Sequence, residues 1–172
     1  MTDAFDIDLL PLGAGELGLC PLPGRYGDPA RDLERIAALG PALVVSLTLK
    51  DEMTAHGVDD LPDRLAGAGI NWRHFPIGDF GVPRPEADPL WCAIATEMRA
   101  ALDGGERVVI HCKAGRGRTG MVALRLMIEA GEDPAAALSR LRASRAGAVE
   151  TAEQQCWAEA GAPRPGDAGG GP

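Results

Sequence analysis

The sequence predicts an α/β domain built on a mostly parallel central sheet flanked by helices. Short apolar runs rich in β-branched residues, 42–48 (ALVVSLT), 70–77 (INWRHFPI) and 107–111 (RVVIH), have the composition of strands buried on both faces. Helical patterns separate them, and such alternation calls for crossover connections between parallel strands. At 172 residues and 45% hydrophobic composition the chain supports one core rather than two.

Along the chain, the turn-rich residues 21–29 (PLPGRYGDP) precede a first helix. Asp28 is its N-cap, Pro29 takes the first helical position, and Leu33, Ile36, Ala37 and Leu39 form its apolar face; Gly40 and Pro41 end it. A short helix over about 61–68 joins strand 42–48 to strand 70–77. A longer helix over 86–102, with Leu90, Ile94, Met98 and Leu102 in one stripe, is closed by 103–105 (DGG). Strand 107–111 follows. A largely buried helix then runs from Thr119 to Gly131, and Pro134 opens another through about Arg145. Residues 1–160 are expected to form a single domain. From Gly161 onward, five glycines and three prolines in twelve residues predict a disordered tail.

Charge narrows the function classes. A net charge of -8 disfavours nucleic acid and anionic membrane as partners, so any basic site must be local. No apolar run reaches 18 residues, and the first ten carry three aspartates where a secretory signal needs positive charge. A cytoplasmic monomer without stable membrane association is expected. Cys20, Cys92, Cys112 and Cys156 stand far apart, with no C-x-x-C pair and no zinc-type spacing. Free thiols in a reducing compartment fit that usage.

The chemistry sits after strand 107–111, where residues 111–120 read HCKAGRGRTG. Ligands of open α/β sheets bind beyond the carboxyl ends of the strands. Gly115 and Gly117 let the loop curl so that successive N–H groups converge, and the next helix adds the positive end of its dipole. Such a nest binds a tetrahedral oxyanion. A Walker A loop would need Lys and Ser or Thr after the second glycine; Met121 and Val122 follow Gly120, so that reading fails. The dinucleotide pattern G-x-G-x-x-G leaves Cys112 and Arg118 without a role.

Thiol-based phosphoryl transfer uses every residue. The loop dipoles, with Arg116 and Arg118, favour thiolate at Cys112. Arg118 has the planar fork that holds two phosphate oxygens. Lys113, Ala114, Gly115, Arg116 and Gly117 complete the phosphate-binding loop, Thr119 is placed to donate to the sulfur, and His111 to bond the loop backbone. Neither a metal nor a cofactor is called for. The leaving oxygen needs a proton from a separate loop. Asp79, in 76–83 (PIGDFGVP), is the candidate, with Gly78 and Gly81 permitting closure. A turn or cap role is the competing reading of Asp79. Glu86 and Asp88 suit the first turn of the following helix.

Residues 111–120 match H-C-x5-R-[ST]-G at every fixed position, and so resemble the signature of the cysteine-dependent protein tyrosine phosphatase superfamily. Residues 76–83 resemble the general-acid loop P-I-x-D-x-x-x-P of its dual-specificity group. With 22–28 (LPGRYGD) and 44–53 (VVSLTLKDEM), the likeness reaches about residue 160 and extends to the cyclin-dependent kinase-associated phosphatases and their bacterial relatives. The resemblance implies a small dual-specificity-type fold, a cysteinyl-phosphate intermediate on Cys112, and Asp79 acting first as acid and then as base. Residues 149–155 (VETAEQQ) resemble a segment whose glutamine joins the phosphate pocket and positions water, here Gln154; Thr151-x-x-Gln154 is also a capping box. The Asn-x-Tyr recognition loop of the large receptor-like enzymes is not recognised, which implies a shallower pocket. Arg73, His74 and Arg84 are candidates for its rim, or solvated surface charge.

These readings imply a phosphomonoester hydrolase acting on phosphotyrosine, and on phosphoserine or phosphothreonine, in proteins. An inositol phosphate or phosphoinositide substrate is the alternative, because CKAGRGR resembles the CKAGKGR of phosphatase-and-tensin-type lipid phosphatases. A phosphate-binding module without turnover is the alternative of another class. Cys112 would be open to oxidation, with Cys20, Cys92 and Cys156 as either resolving thiols or small buried hydrophobes.

Overall fold

The computed structural model describes residues 4–162. The expected tail lies, from residue 163 on, outside the described residues. Five strands, β1 (Asp8–Leu12), β2 (Gly15–Pro21), β3 (Leu43–Ser46), β4 (Asn71–His74) and β5 (Arg107–Cys112), form one sheet in the order β1-β2-β5-β3-β4. The three anticipated strands are β3, β4 and β5, and they pair in parallel. β2 adds to β5 in parallel, whereas β1 pairs antiparallel with β2.

That hairpin is not anticipated from the sequence. Pro11, Gly15 and Gly18 dilute its strand signal, yet Leu12 pairs with Gly15 across a two-residue turn in which Gly13 takes φ +62°. A parallel neighbour and buried side chains decide the conformation there, not propensity.

Helices cover both faces. α1 (Pro29–Ala38), α2 (Lys50–Ala55) and α3 (Leu61–Gly67) pack Leu33, Ile36, Met53, Leu61 and Leu65 against Cys20, Val44 and Val109. α4 (Asp88–Asp103), α5 (Gly117–Glu129), α6 (Pro134–Ser144) and α7 (Ala152–Glu159) cover Leu17, Val45, Val108 and Ile110. Alternate side chains of each strand thus feed opposite cores. As expected, Asp28 caps α1, accepting from the Arg31 N–H at 3.0 Å.

Several details differ from the expectations. Leu90 is exposed, and Trp91 leads the buried stripe of α4 with Ile94, Ala95, Met98 and Leu102. A 3-10 turn, Pro85–Ala87, precedes α4, so the α-helix proper starts at Asp88. α2 was not foreseen, because six residues are too few to show a helical period.

α5 begins at Gly117, two residues earlier than expected, which places Arg118 and Thr119 in its first turn. It is nearly enclosed. Met121, Val122, Leu124, Leu126 and Met127 are fully buried, each contributing about 1.5–3 kcal/mol. On its outer flank Arg125 lies 4.3 Å from the Trp157 ring centre and 5.6 Å from that of Trp91, tying α5 to α7 and α4. This rigid helix and β5 carry the loop between them.

Candidate active site

Cys112 ends β5, and the loop from Lys113 to Arg116 turns directly into α5. Its four carbonyls are held from outside. Lys113 O accepts from Leu22 N–H (3.3 Å), Ala114 O and Gly115 O from the Arg145 guanidinium (3.3 and 2.8 Å), and Arg116 O from the N–H groups of Gly120 and Val149 (2.8 and 3.2 Å). In a trans peptide the N–H points opposite to the preceding C=O, so the amides of Ala114 through Gly117 turn toward the other side, as a nest requires. Gly115 adopts φ +68°, and a Cβ there would lie 2.4 Å from the Cys20 carbonyl. Only glycine fits.

Arg145 is itself buried, and pairs with Asp6 (3.0 Å) and Asp8 (2.8 Å). Neither it nor these aspartates is singled out by the sequence, where an arginine at a helix end reads as solvated charge.

Arg118 is 1% exposed. Its Nη1 and Nη2 donate to both carboxylate oxygens of Glu52 (2.7 and 2.8 Å), Nη1 also to the Ile77 carbonyl (2.9 Å), and Nη2 to Asp79 Oδ1 (3.0 Å). The bidentate pair fixes the plane of the guanidinium. Burial pushes the Glu52 carboxyl up, but the hydrogen bonds from Arg118 and the Leu49 N–H, together with the positive charges of Arg118 and Lys113, hold it below its ordinary value. Glu52 also accepts the Leu49 N–H at 2.8 Å, starting α2. Sequence reasoning missed Glu52 because it missed α2. Asp79 stands at the rim, 42% exposed, followed by Phe80 at φ +58°.

His111 is fully buried, and burial pushes its imidazole down to about 4. Its Nε2 lies 2.6 Å from Ser46 Oγ, which accepts the Trp72 indole N–H at 2.8 Å. The Thr119 hydroxyl is buried without a hydrogen-bond partner. Gln154 forms the capping box with Thr151: Oε1 accepts from the Glu150 and Thr151 N–H groups, and one of the two Nε2 protons is donated to the Gly81 carbonyl of the Asp79 loop at 3.3 Å. Against the loop itself stands the Glu150 carboxylate, whose Oε2 lies 2.2 Å from where a Cβ of Gly117 would be. Lys113 is half-buried, and Arg116 points to solvent.

A family model described as "Polymorphic toxin system, DSP-PTPase phosphatase" matches residues 23–132, more than half of the chain. The chain belongs to the dual-specificity protein tyrosine phosphatase family. Human "Cyclin-dependent kinase inhibitor 3" is 32% identical over 146 residues, covering 80% of this chain and 68% of that protein. The crystal structure of kinase associated phosphatase (KAP), its catalytic-site cysteine substituted by serine, is similar with a TM-score of 0.80 at 26% identity, over 92% of this chain and 94% of that one. Tk-PTP in its active form has a TM-score of 0.66 at 30% identity, over 84% and 90%.

As a dual-specificity phosphatase, the chain is a cysteine-dependent phosphoric monoester hydrolase. Two of its three rim candidates are engaged elsewhere. Arg73 pairs with Glu97 at 2.8 Å, and His74 stacks on Trp72 with its Nε2 2.8 Å from the Thr48 carbonyl. Arg84 lines a groove of about 620 Å³ beside the Asp79 loop, with Leu49, Ile77, Val82 and Pro83. Cys20 pairs in register with His111 and joins the core on the sheet face opposite to that of Cys112, while Cys92 and Cys156 are exposed. No group of three or more His, Cys, Asp or Glu able to hold a metal ion occurs among the described residues. No helix among them is long and apolar enough to cross a membrane.

Proposed function

We propose that residues 1–160 form one phosphatase domain that hydrolyses phosphotyrosine, and phosphoserine or phosphothreonine, in proteins through a cysteinyl-phosphate intermediate. The observation that carries this reading is the convergence on one loop of Cys112, four outward-held carbonyls and the enclosed Arg118 guanidinium. In the first step Cys112 Sγ attacks phosphorus, the bond to the leaving oxygen breaks, and Asp79 gives that oxygen its proton. Arg118 still has Nε–H uncommitted, and the Nη2–H now facing Asp79 lies on the same edge. A phosphate occupying that edge displaces the Asp79 carboxylate toward the leaving group. In the second step Asp79 takes a proton from water as the water attacks phosphorus, the P–S bond breaks, and thiolate returns. Gln154 acts through the Gly81 carbonyl on the Asp79 loop, and Thr119 offers its free hydroxyl to the sulfur.

The test is phosphate release from para-nitrophenyl phosphate with EDTA present, for the wild type beside Cys112→Ser. Activity in the wild type and none in the variant is expected; turnover by the variant would sink the mechanism. A phosphopeptide panel run against a soluble phosphoinositide decides the substrate class. Faster turnover of the phosphoinositide would replace the protein reading with the lipid one.

A further inference from the structure

We propose that Ser46 and Trp72 are positioning residues of this active site: together they hold His111 in the neutral tautomer that carries its proton on Nδ1, beside the backbone of Cys112. The inference rests on Cys112 being the nucleophile.

The Trp72 indole N–H is a donor only, so at 2.8 Å the Ser46 oxygen must accept it. Ser46 has one proton, and its hydroxyl is fully buried, with the His111 ring nitrogen at 2.6 Å as its remaining partner. If Nε2 accepts that proton, the indole N–H, the Ser46 hydroxyl and Nε2 are all paired. If Nε2 instead carried a hydrogen, whether in the other tautomer or in the imidazolium, two donors would face Ser46 Oγ and the hydroxyl proton would be orphaned in the core. The register supports the arrangement, since Ser46 pairs directly with His111 across β3 and β5. Stacking holds the indole in place, with the His74 ring centre 5.4 Å away. The charged or titratable groups acting on His111 are His74 and Arg118, which disfavour a second ring proton, and Glu52, which favours it.

Nδ1 is buried and has no hydrogen-bond partner. The backbone of Cys112 nonetheless favours a proton on the ring, and the only backbone group of that sign is its carbonyl. An N–H directed at the Cys112 carbonyl orients the peptide plane whose other end is the Lys113 N–H. It does for the first carbonyl of the loop what Leu22, Arg145 and Val149 do for the next four. A lone pair at Nδ1 would repel that carbonyl and release the plane. Ser46 and Trp72, neither of which touches substrate, therefore act on the nucleophile through His111.

The direct test is a long-range nitrogen–proton spectrum of histidine-labelled wild-type protein near neutral pH. Protonated-type Nδ1 and lone-pair-type Nε2 signals for His111 are expected; a proton on Nε2 overturns the proposal. The second test follows alkylation of Cys112 by iodoacetamide near pH 6, read by mass spectrometry on its own peptide because Cys92 and Cys156 also react. Ser46→Ala should slow it about fivefold, the effect of one ordinary hydrogen bond. Ser46→Thr, which keeps the hydroxyl, should restore it, and Trp72→Phe should fall between. Unchanged alkylation in a folded Ser46→Ala variant also overturns the proposal. The spectrum needs no variant to fold, and neither test reads phosphate release, so failure of the phosphatase reading would show separately.

Discussion

At Asp79 and His111 two single side chains set the behaviour of the site with acid. Asp79 sits half in water at the rim, 3.0 Å from Arg118, where a group serving as proton donor must reach the leaving oxygen. Asp79→Asn keeps the shape and removes the proton; turnover of alkyl phosphates should fall about 10²–10³-fold, and that of activated aryl phosphates much less. An equal loss on both substrates would remove Asp79 from the acid role. His111 acts on stability as well. An unfolded chain protonates this ring near 6.5, the folded one near 4. Between those values the unfolded state binds more protons, so stability drops as pH falls through the window, by up to about 3 kcal/mol in total. Urea unfolding at about pH 7 and about pH 4.5 should show that loss in the wild type and a smaller one in His111→Gln. Equal slopes for the two proteins would mean that the ring is not buried neutral.

At the scale of elements, the proposed phosphate loop is a span of backbone whose shape is imposed by neighbours. α5 holds one end and β5 the other, and the turn between is held by an arginine at the end of α6. Arg145→Met keeps much of the side-chain volume but frees the carbonyls of Ala114 and Gly115, and it leaves Asp6 and Asp8 unpaired. Turnover of para-nitrophenyl phosphate should fall about 100-fold, the cost of misplacing a site by roughly 1 Å, and inhibition by inorganic phosphate should weaken with it. Retained activity and inhibition would show that the loop keeps its shape unaided. The helices around the loop were legible where they had caps and length. α1 has Asp28 and Pro29, and α5 follows its glycines with an unbroken apolar run. The short α2, with Glu52 on it, had neither.

Across the whole molecule the two cores share one sheet, and the described chain closes with α7 packed beside α5. A chain ending at residue 162 is expected to keep its melting temperature and its turnover, as measured by thermal unfolding and phosphate release. Loss of either would assign the last ten residues to the domain. The candidate nucleophile, phosphate clamp and acid, like the three parallel strands, could all be proposed from the sequence, because each is encoded within a few residues. Covalent spacing puts Cys112 six positions before Arg118 at the end of a strand, and no packing is needed to see it. The pairing of Arg118 with Glu52 spans 66 residues and that of Arg145 with Asp8 spans 137. The Ser46–His111 contact likewise depends on which strands become neighbours. Such partners are chosen by the order of strands in the sheet and by the burial that makes an unpaired charge or hydroxyl costly. Both exist only once the chain has folded.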